Sequence, residues 1–183
     1  TGIAATHMGG VTIHSWSGVG IKDSLSKSDI AEIAEKKHIR SKIKNASVLI
    51  IDEISMLHHF RLDLIEKIIK EVKNSSEPFG GMQVIFCGDF FQLPPIRRAQ
   101  EPEVYFAFHS KAWQDLNLKV CYLSEQHRQS DMEYLKILNA IRENSVGDKI
   151  IETLRSRFNK KPAFEPTKLY SHNKDVDTEN ETE

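Results

Sequence analysis

The chain has 183 residues, 39% of them hydrophobic and 28% charged, with a formal net charge of −1. That length supports one hydrophobic core of ordinary size, no apolar run approaches the ~20 residues a membrane-crossing helix requires, and two cysteines make no disulfide framework. The charge balance gives no overall basic footprint for nucleic acid, but it is uneven: without Asp175, Asp177, Glu179, Glu181 and Glu183 the remainder carries +4, a mild excess compatible with a phosphate backbone.

In chain order the pattern is α/β. Thr1 to Ala5 reads as the end of a strand entering a loop, and Thr12 to Gly20 as a short polar, glycine-containing segment around Ile13, His14 and Trp16. Ser28 to Lys44 is a helical stretch with Ile30, Ile33, Ala34 and Ile43 as apolar members; its basic run from Lys36 to Lys44 reads as a solvated face. Val48-Leu49-Ile50-Ile51 is a strand buried on both faces, as in a parallel sheet. The following helix carries Leu62, Ile65, Ile68, Ile69 and Val72 at helical spacing, and Asn74 to Gly81 is a turn-rich link. Gln83 to Cys87 is a second buried strand, and Pro94-Pro95 stiffens the exit from the loop after it. Ser110 caps a short helix to Leu116, and Leu118 to Leu123 alternates as a strand, placing Cys87 and Cys121 as free thiols in buried strands. Ser130-Asp131-Met132-Glu133 reads as a capping box opening a helix with Leu135, Leu138 and Ile141 inward. A further helix spans Asp148 to Phe158, Lys160 to Pro166 is a linker, and Thr167 to Ser171 starts another strand.

The strand ends carry the chemistry. Strand, helix, strand makes a βαβ unit, so Asp52-Glu53 and the loop Gly88-Asp89-Phe90-Phe91-Gln92 share one sheet edge, where open α/β sheets bind ligands. An Asp-Glu pair there has the layout of the second nucleotide-site motif of P-loop ATPases. In that motif the Asp helps hold Mg²⁺ and the Glu orients or deprotonates the attacking water. The same two residues also fit a strand followed by a helix with an acidic first turn. The Gln92 amide can donate to a phosphate oxygen or orient a water. Phe90 and Phe91 suit either core packing or stacking on a base. His58-His59 does not suit zinc, because adjacent histidines point to different sides of a helix and no further ligand stands at the required spacing.

Six segments in order, Thr1 to Ala5, Gly10 to Gly20, Ile51 to Leu57, Pro78 to Gly81 with Cys87 to Ile96, Leu123 to Gln129, and Leu169 to Asn173, resemble the Pif-one family of superfamily-one DNA helicases, which is close to the RecD-type helicases. The resemblance implies a RecA-like P-loop NTPase domain, a parallel central sheet flanked by helices. It further implies an ATP-dependent helicase that moves 5′ to 3′ on single-stranded DNA and opens duplex junctions in repair, recombination or genome maintenance. ATP and Mg²⁺ are the implied cofactors. By this resemblance Asp52 matches the carboxylate holding Mg²⁺ through water, Glu53 the residue activating water, Gln92 the γ-phosphate sensor, and Arg128 the arginine reaching the same phosphate. Thr1, Gly2, Thr12, His14 and Ser15 match strand-contacting segments, with Phe91, Pro94 and Pro95 near the DNA. Trp16 departs from the Phe usual in the family.

The family's phosphate loop, G-x-x-x-x-G-K-S/T, is not in this sequence. The expected division is therefore 1–159 as the first RecA-like domain without its phosphate-loop part, 160–166 as linker and 167–183 as the start of a second. The expectation is a monomeric, intracellular protein that acts at no membrane. The look of Glu125 to Gln129 leans toward a bacterial cytoplasm over a nucleus or mitochondrion. Two rivals stay open on the residues alone: a P-loop ATPase that does not act on DNA, and a non-enzymatic helicase remnant that binds DNA.

Overall fold

The computed structural model describes residues 5, 9–96, 105–160, 163–164 and 166–182. Two compact units divide the chain, Thr1–Leu123 and Ser124–Glu183.

The first unit is built around one helix. Strand β1 (Val48–Ile51) leads through a 3₁₀ turn (Ile54–Met56) into a fifteen-residue helix, His59–Lys73, and then through a second 3₁₀ turn (Pro78–Gly81) to β2 (Gln83–Phe86). Before β1 come α1 (Ile13–Ser17), α2 (Lys27–Glu35) and α3 (Lys37–Asn45), which makes the His59–Lys73 helix α4. Its apolar residues recur every three or four positions, so Leu62, Ile65, Ile68, Ile69 and Val72 line one stripe and all are buried. That stripe packs on α2, α3, the Pro78–Gly81 turn and the short helix α5 (Lys111–Gln114). Asn74 ends α4 in the left-handed conformation that suits a helix C-terminus.

The strands pair in parallel, with Val48 opposite Gln83 and Ile51 opposite Phe86. The βαβ unit expected from the sequence is therefore present. Burial differs from expectation. Leu49 and Ile51 face the core, whereas Val48 and Ile50 on β1 and Ile85 on β2 are 41%, 59% and 38% exposed. Among the described residues the helices cover one face of the sheet, so an all-apolar strand is half-solvated.

The helical stretch before β1 is two helices. α2 opens with a capping box in which Ser26 accepts from the Asp29 backbone N–H and Asp29 from that of Ser26. Lys36 then takes an extended backbone (φ −61°, ψ 112°) and turns the chain into α3, burying Ile39 and Ile43 beside Ile33 and Ala34. Thr12–Gly20 contains α1, capped by Thr12.

Several expectations fail where a strand would need a partner. Among the described residues Leu118–Leu123 and Thr167–Ser171 join no sheet, and Val120, Tyr122, Leu123 and Leu169 are exposed. Alternation shows that a segment could lie on a sheet; a neighbouring ladder makes it a strand. Cys87 and Cys121 are free as expected but exposed, since Cys87 follows the last residue of β2 and Cys121 lies in an unpaired segment.

The second unit holds α6 (Met132–Arg142), α7 (Asp148–Arg157) and α8 (Asn173–Thr182). The cap of α6 is Asp131, not Ser130: its carboxylate accepts from the Glu133 and Tyr134 N–H groups. A charged acceptor one residue later outcompetes the serine hydroxyl. Of the expected inward residues, Leu135 is half-buried while Leu138 and Ile141 are exposed; Ala140 is the buried one. Thr1–Ala4 lie outside the described residues, and Ala5 is helical.

Candidate nucleotide and nucleic-acid site

Because the strands run parallel, both leave the sheet at the same edge. The peptide after β1 and the peptide after β2 are joined there by the Ile54 N–H donating to the Cys87 carbonyl at 2.9 Å. Contact is close enough to require glycine at 88: a Cβ on Gly88 would stand 2.9 Å from the Ile54 nitrogen and 3.0 Å from the Ile54 Cγ2. The loop carrying Gln92 is thus seated directly against the acidic loop.

Asp52 is exposed and its Oδ1 accepts from the Glu53 backbone N–H at 3.0 Å. Glu53 is half-buried and has a left-handed backbone (φ 53°, ψ 46°). That conformation costs a non-glycine residue on the order of 1 kcal/mol or more and collects at functional sites. It swings the chain off the strand axis immediately after the first carboxylate. Neither Asp52 nor Glu53 forms an ion pair among the described residues, so both carboxylates are available to a ligand. Two oxygen donors of this kind suit a hard divalent cation such as Mg²⁺.

The glutamine loop is internally braced. Asp89 accepts from the Phe91 N–H (3.0 Å) and from the Gln92 side-chain amide (3.1 Å). Phe90 turns inward and packs edge-on against Phe106, Phe108 and Trp113, with Trp113 stacked in turn on Phe86 of β2. Phe91 turns outward and is 78% exposed. Core packing is the outcome for Phe90, while the ring of Phe91 is presented to solvent. Pro94 is exposed, while Pro95 is buried and offers no ring to a partner.

The α1 segment lies against the start of α4. Thr12 Oγ1 accepts from the Ser15 N–H at 3.3 Å, Ser15 is exposed, and Trp16 is partly buried against the core, which favours packing over base stacking for that ring. Burial, then the nearby Arg61 and His58, hold the His14 imidazole below its ordinary value, so it is neutral at pH 7. Arg61, 5% exposed on α4, donates to Asp23 at 2.7 Å and to the Gly20 carbonyl at 3.4 Å, tying the end of the α1 segment to the helix that follows the acidic loop. The sequence signal for Arg61 is a charge set between Phe60 and Leu62 in an otherwise apolar stripe. Asp89 has only its place within the Gly88–Gln92 motif as a sequence signal.

Arg128 lies in the second unit, exposed, and forms neither an ion pair nor a hydrogen bond among the described residues; Glu125 pairs with His127 instead. Thr1 and Gly2 fall outside the described residues.

Comparison with known proteins extends this picture. The family model for PIF1-like helicases matches residues 1–149. ATP-dependent DNA helicase Pif1 of Psychrobacter sp. (strain PRwf-1) is 47% identical over 192 residues, covering all of this chain and 29% of that protein. ATP-dependent DNA helicase PIF1 of Homo sapiens is 34% identical over 184 residues, covering 99% of the chain and 28% of that protein. The crystal structure of Pif1 helicase from Candida albicans superposes with a TM-score of 0.87 at 35% identity, over all of this chain and 42% of that one. A Bacteroides Pif1 helicase in complex with ADP-AlF3 and single-stranded DNA gives the same TM-score at 32% identity, over all of this chain and 45% of that one. The chain therefore spans less than a third of the length of the curated relatives it matches.

In class, the fold is the RecA-like α/β domain of these helicases. The chain belongs to the PIF1-like helicase family.

Proposed function

We propose that the protein carrying this chain is an ATP-dependent DNA helicase, which couples hydrolysis to movement along single-stranded DNA and to opening of duplex junctions. The observation that carries this reading is the joined pair of loops at one sheet edge: an Asp52-Glu53 dyad, outside any ion pair among the described residues, bonded through Ile54 to the loop that presents Gln92. Family membership supports it, as does the likeness to a helicase bound to ADP-AlF3 and single-stranded DNA.

The roles are those the family resemblance implies, together with the chemistry each side chain offers. ATP with Mg²⁺ supplies an electrophilic terminal phosphate whose charge the cation offsets. Asp52 would hold that cation, and Glu53 would serve as the base for the attacking water. Gln92 orients the water or donates to a phosphate oxygen. Arg128 offers a permanently charged, bidentate fork to the same phosphate. Thr1, Gly2, Thr12, His14 and Ser15 serve the DNA backbone, where small side chains and N–H groups approach phosphates closely. Phe91 and Pro94, both exposed, are assigned to contact with DNA, as is Pro95, which is buried and would act by supporting them.

That loop would carry the coupling, since Gln92, assigned to the nucleotide, and Phe91, assigned to DNA, are neighbours in it. We assign 1–159 to the first RecA-like domain, 160–166 to a linker and 167–183 to the start of the second. The test is strand displacement from a forked duplex with ATP and Mg²⁺. A fork with a 5′ single-stranded arm is opened and one with only a 3′ arm is not; failure on both removes the helicase assignment.

A further inference from the structure

Resting on the nucleotide reading above, we propose that Asp89 is a positioning residue that fixes the sense in which the Gln92 amide is presented. Asp89 sits at the first turn of the loop, half-buried, and makes three contacts within it. Its Oδ1 accepts from the Phe91 N–H at 3.0 Å, its Oδ2 from Gln92 Nε2 at 3.1 Å, and its carbonyl from the Gln92 N–H at 3.0 Å. An ionised carboxylate only accepts hydrogen bonds, so the end of the amide that faces it must be nitrogen. The amide oxygen is thereby turned away from Asp89, and among the described residues it has no partner.

The frame around this contact is rigid on both sides. Gly88 is pressed against Ile54, at the acidic loop, and Phe90 is locked among Phe106, Phe108 and Trp113. Gln92 therefore presents Oε1, an acceptor, to whatever enters the site, with one N–H left as donor. An acceptor suits a group that still carries protons, which is the attacking water; the remaining N–H suits a phosphate oxygen. Asp89 selects that arrangement over its reverse.

The substitution Asp89→Asn tests the selection because it keeps size and shape. The substituted side chain can still accept from the Phe91 N–H through its amide oxygen, but the nitrogen that replaces Oδ2 is a donor. Gln92 then turns its amide round and spends Oε1 on the contact. In the full-length protein, single-stranded-DNA-stimulated ATP hydrolysis is measured for wild type, D89N, Q92A and the double variant. D89N lowers kcat by about tenfold, the scale of a misplaced positioning group, with KM for ATP within about twofold. In the Q92A background D89N costs nothing further, which a purely structural role would not produce. Asp89→Ala, which removes the side-chain contacts to Phe91 and Gln92, is the second variant and obeys the same non-additivity. An unchanged kcat in D89N, or equal losses in both backgrounds, overturns the role of Asp89 while leaving the helicase reading intact. A wild-type protein without DNA-stimulated hydrolysis overturns the helicase reading itself.

Discussion

At the scale of single residues the account rests on Glu53, set by its left-handed backbone just after Asp52. Replacing Glu53 by Gln removes a base without removing size, so in the full-length protein turnover falls by about 10²-fold or more while nucleotide binding persists. A fluorescent-nucleotide titration alongside the ATPase rate separates the two effects, and equal turnover removes Glu53 from its role. Gly88→Ala forces a methyl group into the Ile54 backbone; it costs about 1–3 kcal/mol in urea unfolding, as overpacking does, and lowers hydrolysis by parting the two loops. His14 gives a pH signature. Its folded value lies below the ordinary 6.5, so the unfolded chain binds the proton more readily. The stability this contributes is complete above pH 6.5 and is lost as pH falls through the depressed folded value. Unfolding midpoints measured from about pH 8 down to about pH 5 show a decline that His14→Gln makes shallower. Asp52, Glu53 and Gln92 were legible as a set because strand patterns before each fix which edge they share. The left-handed turn at Glu53 was not, since φ depends on the path the chain must take next, and Asp89 hid inside a motif read for its glutamine.

At the scale of elements, α4 is the member on which the first unit depends. It links the two strands, and its apolar stripe meets α2, α3 and α5. Ile65→Ala at the centre of the stripe leaves a cavity and costs about 2–5 kcal/mol, seen as a lowered urea midpoint. This helix was legible because a repeat of about 3.6 residues reports burial directly. The break at Lys36 was not: Lys has good helix propensity, and only the packing of Ile39 and Ile43 beneath α2 demands a turn there. The Leu118–Leu123 segment shows the opposite limit. Its alternation is real, but sheet formation is decided by a neighbour, which no local pattern contains. Val48 and Ile50 make the same point in burial, since a strand sequence apolar on both faces states what the faces tolerate and not which of them is covered.

At the scale of the whole molecule, the joined loops are parts of a motor only if hydrolysis answers to DNA. The structure ties the glutamine loop to the acidic loop and leaves Phe91 of that loop exposed, so on the proposed roles a nucleotide and a polynucleotide would act on one short segment. Family membership assigns the fold, and the proposed site residues would supply the chemistry. The most direct test is the steady-state rate of ATP hydrolysis by the full-length protein with Mg²⁺, measured with and without single-stranded DNA. The account predicts a slow basal rate that rises steeply with added DNA and reaches a plateau when the strand saturates the protein. A rate indifferent to DNA at every concentration would contradict it.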